Sequence, residues 1–241
     1  MRATRQQSEA LADRLEHLYQ RGLNLQAMLP KAEALIALPE LKDSLLGFES
    51  VLLIGSAGTS LWRAIEDEAP KEDPIDSHCL DALTYFHDKL RESGIDCHLL
   101  WHGGSSLHLP VQALGSAAGW AQRSRMGLSI HREHGLWFAY RWVLLLGPHF
   151  REKTVSAESR RLDESPCVQC AEMPCVSSCP AGAVGGPSGI DAGRCFSERD
   201  REGALCADRC LSRLACPIGV DSQYSLPQIA HHHAAARSLM E

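Results

Sequence analysis

The sequence predicts an α+β fold in two parts. Helical and strand patterns alternate over roughly the first 150 residues, which is typical of a domain with its own apolar core. Eight of the ten cysteines then fall between residues 167 and 216, among glycines and prolines and with little apolar periodicity. A segment of that composition cannot form a core and needs a metal to organise it. We therefore predict a core domain over 1–160, a metal-binding module over 161–220 and a tail over 221–241.

The first predicted elements are two helices, a buried strand and a third helix. Leu11, Leu15 and Leu18 share one face of the first helix, which Gly22 ends. The strand is a short apolar run, and the glycine-containing turn 55–58 connects it to the third helix. That turn lacks the full glycine pattern of a dinucleotide site. The predicted ranges are 8–21, 31–38 and 61–68 for the helices and 51–54 for the strand.

The longest predicted helix spans residues 75–93 and ends at Gly94. Its apolar stripe contains Ile75, Cys79, Leu83, Phe86 and Leu90. Cys79 on this stripe and Cys97 on the following strand are interpreted as small core residues. The later predicted elements are strands over 95–101, 127–130 and 136–146, and a helix that Pro110 begins and that runs to about Ser124.

Charge and hydropathy restrict the functional class. The net charge is -6, which argues against broad binding to nucleic acid. No apolar run is long enough to span a bilayer, and the N-terminus lacks the apolar stretch of a signal peptide. We therefore expect a cytoplasmic protein without a membrane partner. In a reducing compartment the clustered cysteines indicate metal binding rather than disulfides.

The cysteine spacing points to iron–sulfur clusters. Residues 167–180 have the pattern C-x2-C-x4-C-x3-C-P, close to the bacterial ferredoxin pattern in which the fourth cysteine binds the other of two clusters. A second group also ends in Cys-Pro, at Cys216-Pro217. Exchange of the terminal cysteines between the groups predicts two [4Fe-4S] clusters. The first set is Cys167, Cys170, Cys175 and Cys216, and the second is Cys179, Cys195, Cys206 and Cys210.

Two structural zinc sites are the alternative, because four cysteines also suit zinc. Zinc sites usually combine two separated C-x2-C pairs, and they give no reason for two reciprocal Cys-Pro endings. Paired [4Fe-4S] clusters transfer single electrons and carry out no substrate chemistry themselves. The electron acceptor is therefore expected in the first 150 or so residues. The histidine tract 231–233 in the tail is expected to be solvated.

Three stretches resemble the corrinoid-dependent iron–sulfur reductases, which are the epoxyqueuosine reductases and the reductive dehalogenases. They are residues 109–119, 125–130 and 134–138, and Asp191-Ala-Gly-Arg-Cys195 resembles the segment that carries the single upstream ligand in those proteins. One departure is Ala118-Gly-Trp-Ala121, where the family has Ala-Gly-Leu-Gly. The helical-repeat domain that helps epoxyqueuosine reductases with tRNA has no counterpart here, so nucleic acid is not expected as a partner.

Asp73-Pro-Ile-Asp76 with its helix, and residues 127–143, resemble the cobalamin-processing protein of the cblC type. This resemblance implies a nitroreductase-like fold that binds cobalamin base-off, followed here by a ferredoxin-like module with two [4Fe-4S] clusters. The candidate cofactor-binding residues are Asp76, His102, His131 and Arg141, with His108 and His134 as further candidates. Each also has a simpler interpretation: Asp76 as a helix N-terminal acid, the histidines as surface residues, and Arg141 as an exposed strand charge.

The sequence thus predicts an iron–sulfur oxidoreductase that passes electrons from two [4Fe-4S] clusters to bound cobalamin. The implied partners are a corrinoid and a low-potential donor, such as a flavodoxin, a ferredoxin or a reductase. Three alternatives remain open: a corrinoid-dependent reductase of an epoxide or halide, a ferredoxin-type protein without corrinoid, and an FMN enzyme on the same scaffold. No catalytic residue is predicted.

Overall fold

The computed structural model describes residues 2–66, 73–103, 108–150, 154–155, 164–186 and 189–238. The chain divides into two compact units. The core unit contains residues 1–120 and 139–161, and the cysteine unit contains residues 121–138 and 162–241. Residues 121–138 therefore belong to the cysteine unit, although they precede the sequence-based boundary at residue 160. Within the described ranges, no helix is long and apolar enough to cross a membrane.

The described residues of the core unit form five α-helices, each of which overlaps a helix predicted from apolar periodicity and helix-ending residues. The longest, α4, begins with Pro74 at its first position, and the Asp73 carboxylate accepts a hydrogen bond from the backbone N–H of Asp76 at 3.3 Å. Residues 67–72, which include the predicted end of α3, lie outside the described residues. The helices are α1 (Arg2–Gln20), α2 (Lys31–Ala37), α3 (Ser60–Glu66), α4 (Pro74–Glu92) and α5 (Val111–Ala118).

The described residues of the core unit also form a five-stranded sheet in the order β3-β6-β2-β1-β7. Strands β1 and β2 pair antiparallel, from Leu25 opposite Gly55 to Pro30 opposite Ser50. Strands β3 and β6 also pair antiparallel, with an irregularity between Leu99 and Trp101. The strands are β1 (Leu25–Pro30), β2 (Ser50–Ala57), β3 (Cys97–His102), β6 (Phe138–Leu146) and β7 (Thr154–Val155).

A single apolar cluster joins α1 and α4 to this sheet. The helices contribute Leu11, Leu18 and Phe86, and the strands contribute Leu52 and Leu144, all at most 5% exposed. Burial of these side chains is the main stabilising contribution, because each apolar side chain removed from water contributes about 1.5–3 kcal/mol. The stripe predicted on α4 is therefore confirmed as the inner face of the helix.

The cysteine unit consists of short elements joined by loops. Strands β4 (Ala121–Arg123) and β5 (Ser129–His131) pair with each other, as do β8 (Val184–Gly186) and β9 (Gly189–Ile190). Its helices are α6 (Pro174–Ser177), α7 (Ala192–Arg199), α8 (Leu211–Leu214) and α9 (Leu226–Ser238). A small apolar cluster of the unit contains Met126, Ile130, Leu136 and Val184 together with several cysteines.

The structure corrects several expectations. The helix that begins after Pro110 ends at Ala118 rather than near Ser124, because Gly119 adopts a left-handed conformation at φ 81° and caps it. The predicted tail contains α9, and the histidines of the tract 231–233 are half-buried rather than solvated. Gly55 lies within β2 and not in a turn. Most of the predicted linker over 151–165 lies outside the described residues.

Candidate functional site

The first cysteine set lines one cavity of the cysteine unit. Cys167, Cys170, Cys175 and Cys216 all border it, together with Pro217. Cys167 lies in a 3₁₀ helix at Pro166–Val168 that Ser165 caps, since the Ser165 hydroxyl accepts a hydrogen bond from the Cys167 N–H at 3.3 Å. The structure thus brings Cys216, which is 41 positions further along the chain than Cys175, to the other three thiols.

Electrostatic interactions also link the four thiols of this set. Burial raises the pKa of Cys175, and the thiolates of Cys167, Cys216 and Cys170 raise it further. Burial likewise raises the pKa of Cys216, again with contributions from Cys167 and Cys170. Bringing four thiolates together in a poorly hydrated site is therefore unfavourable unless a positive charge lies among them.

The thiols of the second cysteine set also interact with one another electrostatically. Burial raises the pKa of Cys195, and its interacting thiols are Cys210, Cys179 and Cys206. Cys195 lies on α7, where the Asp191 carboxylate accepts a hydrogen bond from the Arg194 N–H at 3.0 Å and caps the helix. The thiol–thiol interactions that raise the cysteine pKa values stay within one set or the other.

The thiols of each set are neighbours without meeting at one point. Among the residues that the structure describes, no three His, Cys, Asp or Glu side chains converge closely enough to hold a single metal ion. The core unit's own cysteines, Cys79 and Cys97, are at most 9% exposed, and burial raises the pKa of each to about 11.

Three of the four predicted cofactor-binding residues line one cavity of the core unit. Asp76 in the first turn of α4, His102 at the end of β3 and Arg141 on β6 all border a cavity of about 260 Å³. The Arg141 Nε–H donates a hydrogen bond to the Ser56 hydroxyl at 3.1 Å, and this bond orients the guanidinium. An acid, an imidazole and a guanidinium on a partly apolar wall suit a ligand that combines a hydrophobic body with polar side groups.

Cys79 also lines this cavity, and sequence reasoning assigned it to the core only. Its pKa of about 11 results first from burial, and the neighbouring Arg141 lowers it while Asp76 raises it. The signal for its position was available, because Cys79 follows Asp76 by three residues on a helix and therefore lies on the same face. Gly103 borders the cavity too, and residues 104–107 after it lie outside the described residues.

His131 belongs to the cysteine unit, whereas the other three predicted residues belong to the core unit. Its side chain is 1% exposed, and its Nδ1 accepts hydrogen bonds from the backbone N–H groups of Glu133 at 3.1 Å and His134 at 3.2 Å. Its Nε2 has no hydrogen-bond partner among the described residues. Of the further candidates, His134 hydrogen-bonds the Ser222 hydroxyl at 2.7 Å and His108 is exposed. His131 is therefore a turn-stabilising residue in this structure.

Sequence reasoning missed two arginines beside the second cysteine set. Arg199 is 6% exposed and donates a hydrogen bond to the His233 carbonyl at 2.7 Å. Arg213 lies 4.4 Å from the ring centroid of Trp137 and 4.8 Å from that of Tyr224, and donates to the Leu136 carbonyl at 2.6 Å. A lone arginine near a cysteine gives no sequence signal, because most arginines lie at the surface.

Comparison with known proteins gives a fold and no sequence family. No protein-family model matches the chain, and no curated protein matches it. A selenomethionine-labelled epoxyqueuosine reductase matches at a TM-score of 0.56 and 16% identity, over 93% of this chain and 69% of that one. An epoxyqueuosine reductase with an epoxyqueuosine-modified tRNA-Tyr stem loop matches at 0.56 and 15%, with the same coverage. The chain therefore has a mixed α+β fold similar to that of the epoxyqueuosine reductases.

A weaker likeness involves the Caenorhabditis elegans B12-trafficking protein CblC. Its TM-score is 0.44 at 17% identity, over 66% of this chain and 75% of that one. At that TM-score the likeness does not establish a shared fold. The resemblance to the reductive dehalogenases, which the sequence also indicated, stays a prediction.

Proposed function

We propose that this protein is an iron–sulfur oxidoreductase that passes electrons from two [4Fe-4S] clusters to a bound cobalamin. The observation that carries the proposal is the grouping of eight cysteines into two sets of four, each of which includes the terminal cysteine of the other sequence group. Such reciprocal ligation is the arrangement of two-cluster ferredoxins.

The chemistry of the donor sets suits clusters of this kind. In each set buried thiols raise one another's pKa, so deprotonating all four requires a positive charge between them, which a cluster core supplies. Cys167, Cys170, Cys175 and Cys216 would hold one cluster. Cys179, Cys195, Cys206 and Cys210 would hold the other. When bound, each cluster accepts one electron from a low-potential donor, which is oxidised, and releases it to the acceptor, which is reduced.

The cavity of the core unit is the proposed corrinoid contact. Pockets for drug-sized ligands measure about 300–1,000 Å³, so a cavity of about 260 Å³ accommodates an edge of a corrin rather than the whole molecule. Arg141 and His102 can donate hydrogen bonds to amide carbonyls of that edge, and Asp76 can accept from amide N–H groups. A nitroreductase-like core unit and a ferredoxin-like cysteine unit are part of this proposal.

A second candidate is corrinoid-dependent reduction of an epoxide. The fold likeness to epoxyqueuosine reductases over 93% of the chain favours this substrate class over a halide. In this case the cobalamin is a catalyst that is regenerated, whereas in the first case the reduced cobalamin is the product. A binding assay with an epoxyqueuosine-modified tRNA stem loop separates the two candidates, because only the second predicts binding.

The first experiment is a metal analysis of the anaerobically purified full chain. We expect about eight iron and eight acid-labile sulfide per chain. Zinc in place of iron, or iron without sulfide, would contradict the proposal.

The second experiment titrates the same preparation with cobalamin. We expect the absorption spectrum to change to that of the base-off form and, after addition of a low-potential reductant, to that of reduced cobalt. The Arg141→Gln variant is the matched control and should bind more weakly while it keeps its full iron content. An unchanged cobalamin spectrum would leave a ferredoxin-type protein, and a copurifying yellow chromophore would favour FMN.

A further inference from the structure

The two cysteine sets differ in the charges that surround them. Arg199 and Arg213 lie beside the second set. Near the first set lies Arg125, an exposed residue whose guanidinium donates a hydrogen bond to the Cys167 carbonyl at 3.2 Å. Arg199 is the last residue of α7 and lies one turn after Cys195 on that helix. Arg213 lies on α8, three residues after Cys210. The sequence thus places one guanidinium beside each of two second-set thiols.

Within the described part of the chain, neither guanidinium forms an ion pair with a carboxylate. Among the residues that the structure describes, no ion pair involves Arg199 or Arg213, and the Nε–H of each is shielded from water without an acceptor. Their remaining contacts are a carbonyl oxygen and aromatic rings, with Arg199 lying 5.2 Å from the ring centroid of Phe196. Arg199 is buried and Arg213 is half-buried, and a guanidinium that is shielded from water without a counter-ion is unfavourable, so an anion is expected nearby.

Two acidic residues near this set have arginine partners of their own. Glu198, which interacts with Cys206, pairs with Arg201, and Asp208 pairs with Arg209 at 2.7 Å. Each of these two pairs is neutral overall and lies at the surface. The thiolates of the second set are negative groups that both arginines do interact with electrostatically: Arg199 with Cys195 and Arg213 with Cys210.

From this asymmetry, and on the basis of the proposed function, we infer that the cluster held by Cys179, Cys195, Cys206 and Cys210 has the higher reduction potential of the two. A thiolate-ligated [4Fe-4S] cluster is anionic and gains one further negative charge on reduction, so nearby cations stabilise the reduced form more than the oxidised form. Arg199 and Arg213 are then positioning and tuning residues that make the second cluster the electron sink, and the first cluster the stronger reductant.

The test is a redox titration of the anaerobic full-length protein followed by electron paramagnetic resonance. The wild type should show two midpoint potentials, of which the higher is absent from a Cys195→Ala/Cys210→Ala variant. Arg213→Gln and Arg199→Gln should each make reduction of the second cluster about tenfold less favourable, which lowers the higher midpoint potential by about 59 mV. The lower midpoint potential should stay unchanged. Arg213→Lys keeps the charge and should retain most of the wild-type value.

Arg209→Gln is the matched control, because Arg209 is next to Cys210 in sequence but exposed and paired with Asp208. It should move neither potential. If both clusters are present and the arginine variants shift the lower potential, or neither potential, the inference is wrong while the proposed function stands. If one glutamine variant loses its second cluster, the other variant and Arg213→Lys decide the result. A wild type without iron and sulfide would instead overturn the proposed function itself.

Discussion

His131 offers a quantitative test of the cysteine unit. Burial lowers its pKa from 6.5 to about 4, and the neighbouring His134 lowers it further. The Nδ1 atom is a hydrogen-bond acceptor for two backbone N–H groups of the turn, and protonation would remove that acceptor. The neutral imidazole is therefore the form that stabilises the folded unit.

The size and sign of the effect follow from proton linkage. Between about pH 6.5 and pH 4 the unfolded chain binds a proton at this site that the folded chain does not, so the free energy of unfolding falls as the pH falls. The loss is about 1.4 kcal/mol per pH unit and about 3 kcal/mol over the whole window. Above about pH 6.5 the contribution is fully present.

The assay compares urea unfolding of the wild type with that of His131→Asn at several pH values from about 8 to about 4.5. Asparagine can accept the same two hydrogen bonds and does not titrate, so the pH dependence common to both proteins, including acid loss of metal, cancels in the difference. By about pH 4.5 the wild type should lose about 2.5 kcal/mol relative to the variant. Equal pH slopes in the two proteins would refute the reasoning.

Three further predictions concern the two units. Gly219→Ala should destabilise the cysteine unit by about 2–4 kcal/mol in the same unfolding assay, because Gly219 has φ 76° and a Cβ there would overlap the backbone of an adjacent turn. The control is Gly47→Ala, at φ 85° with free space around it, which should lower the free energy of unfolding by only about 1 kcal/mol. Asn24→Ala should lower the free energy of unfolding by about 1–3 kcal/mol, because the Asn24 amide bonds both the N–H and the C=O of Ala57, and an unchanged urea midpoint would contradict this. Arg141→Gln should weaken cobalamin binding by about tenfold in a spectral titration without changing the iron content, and equal affinity would remove Arg141 from the site.

The sequence predicts those elements whose own residues determine them. Helix α4 is one, because its stripe of apolar residues every third or fourth position and its Pro74 start are local signals. Strand β1 is not, because Leu25–Pro30 shows no alternation and its conformation results from pairing with β2. The predicted helix after Pro110 was too long, because an apolar pattern continued past Gly119, where the left-handed backbone ends it.

The same distinction applies to the sites. The two cysteine sets stay a prediction from the sequence, and they could be proposed there because ligand spacing and the Cys-Pro endings are encoded in short stretches. The environment of the second set could not: Arg199, Arg213 and helix α9 have ordinary surface composition, and only the folding of α9 onto the unit buries Arg199 against the His233 carbonyl. Asp76, His102 and Arg141 meet at one cavity because the start of α4, the end of β3 and strand β6 all border it, which no local pattern contains.

The exchange of terminal cysteines is tested most directly by two double variants, purified anaerobically and reduced for electron paramagnetic resonance. Cys170→Ala/Cys216→Ala should remove two ligands of one cluster, leaving about four irons per chain and one intact cluster signal. Cys206→Ala/Cys216→Ala should remove one ligand from each cluster and leave no intact cluster. The reverse result, with one intact cluster in the second variant and none in the first, would show that Cys216 binds with its sequence neighbours and would contradict the reciprocal ligation on which the proposed function rests.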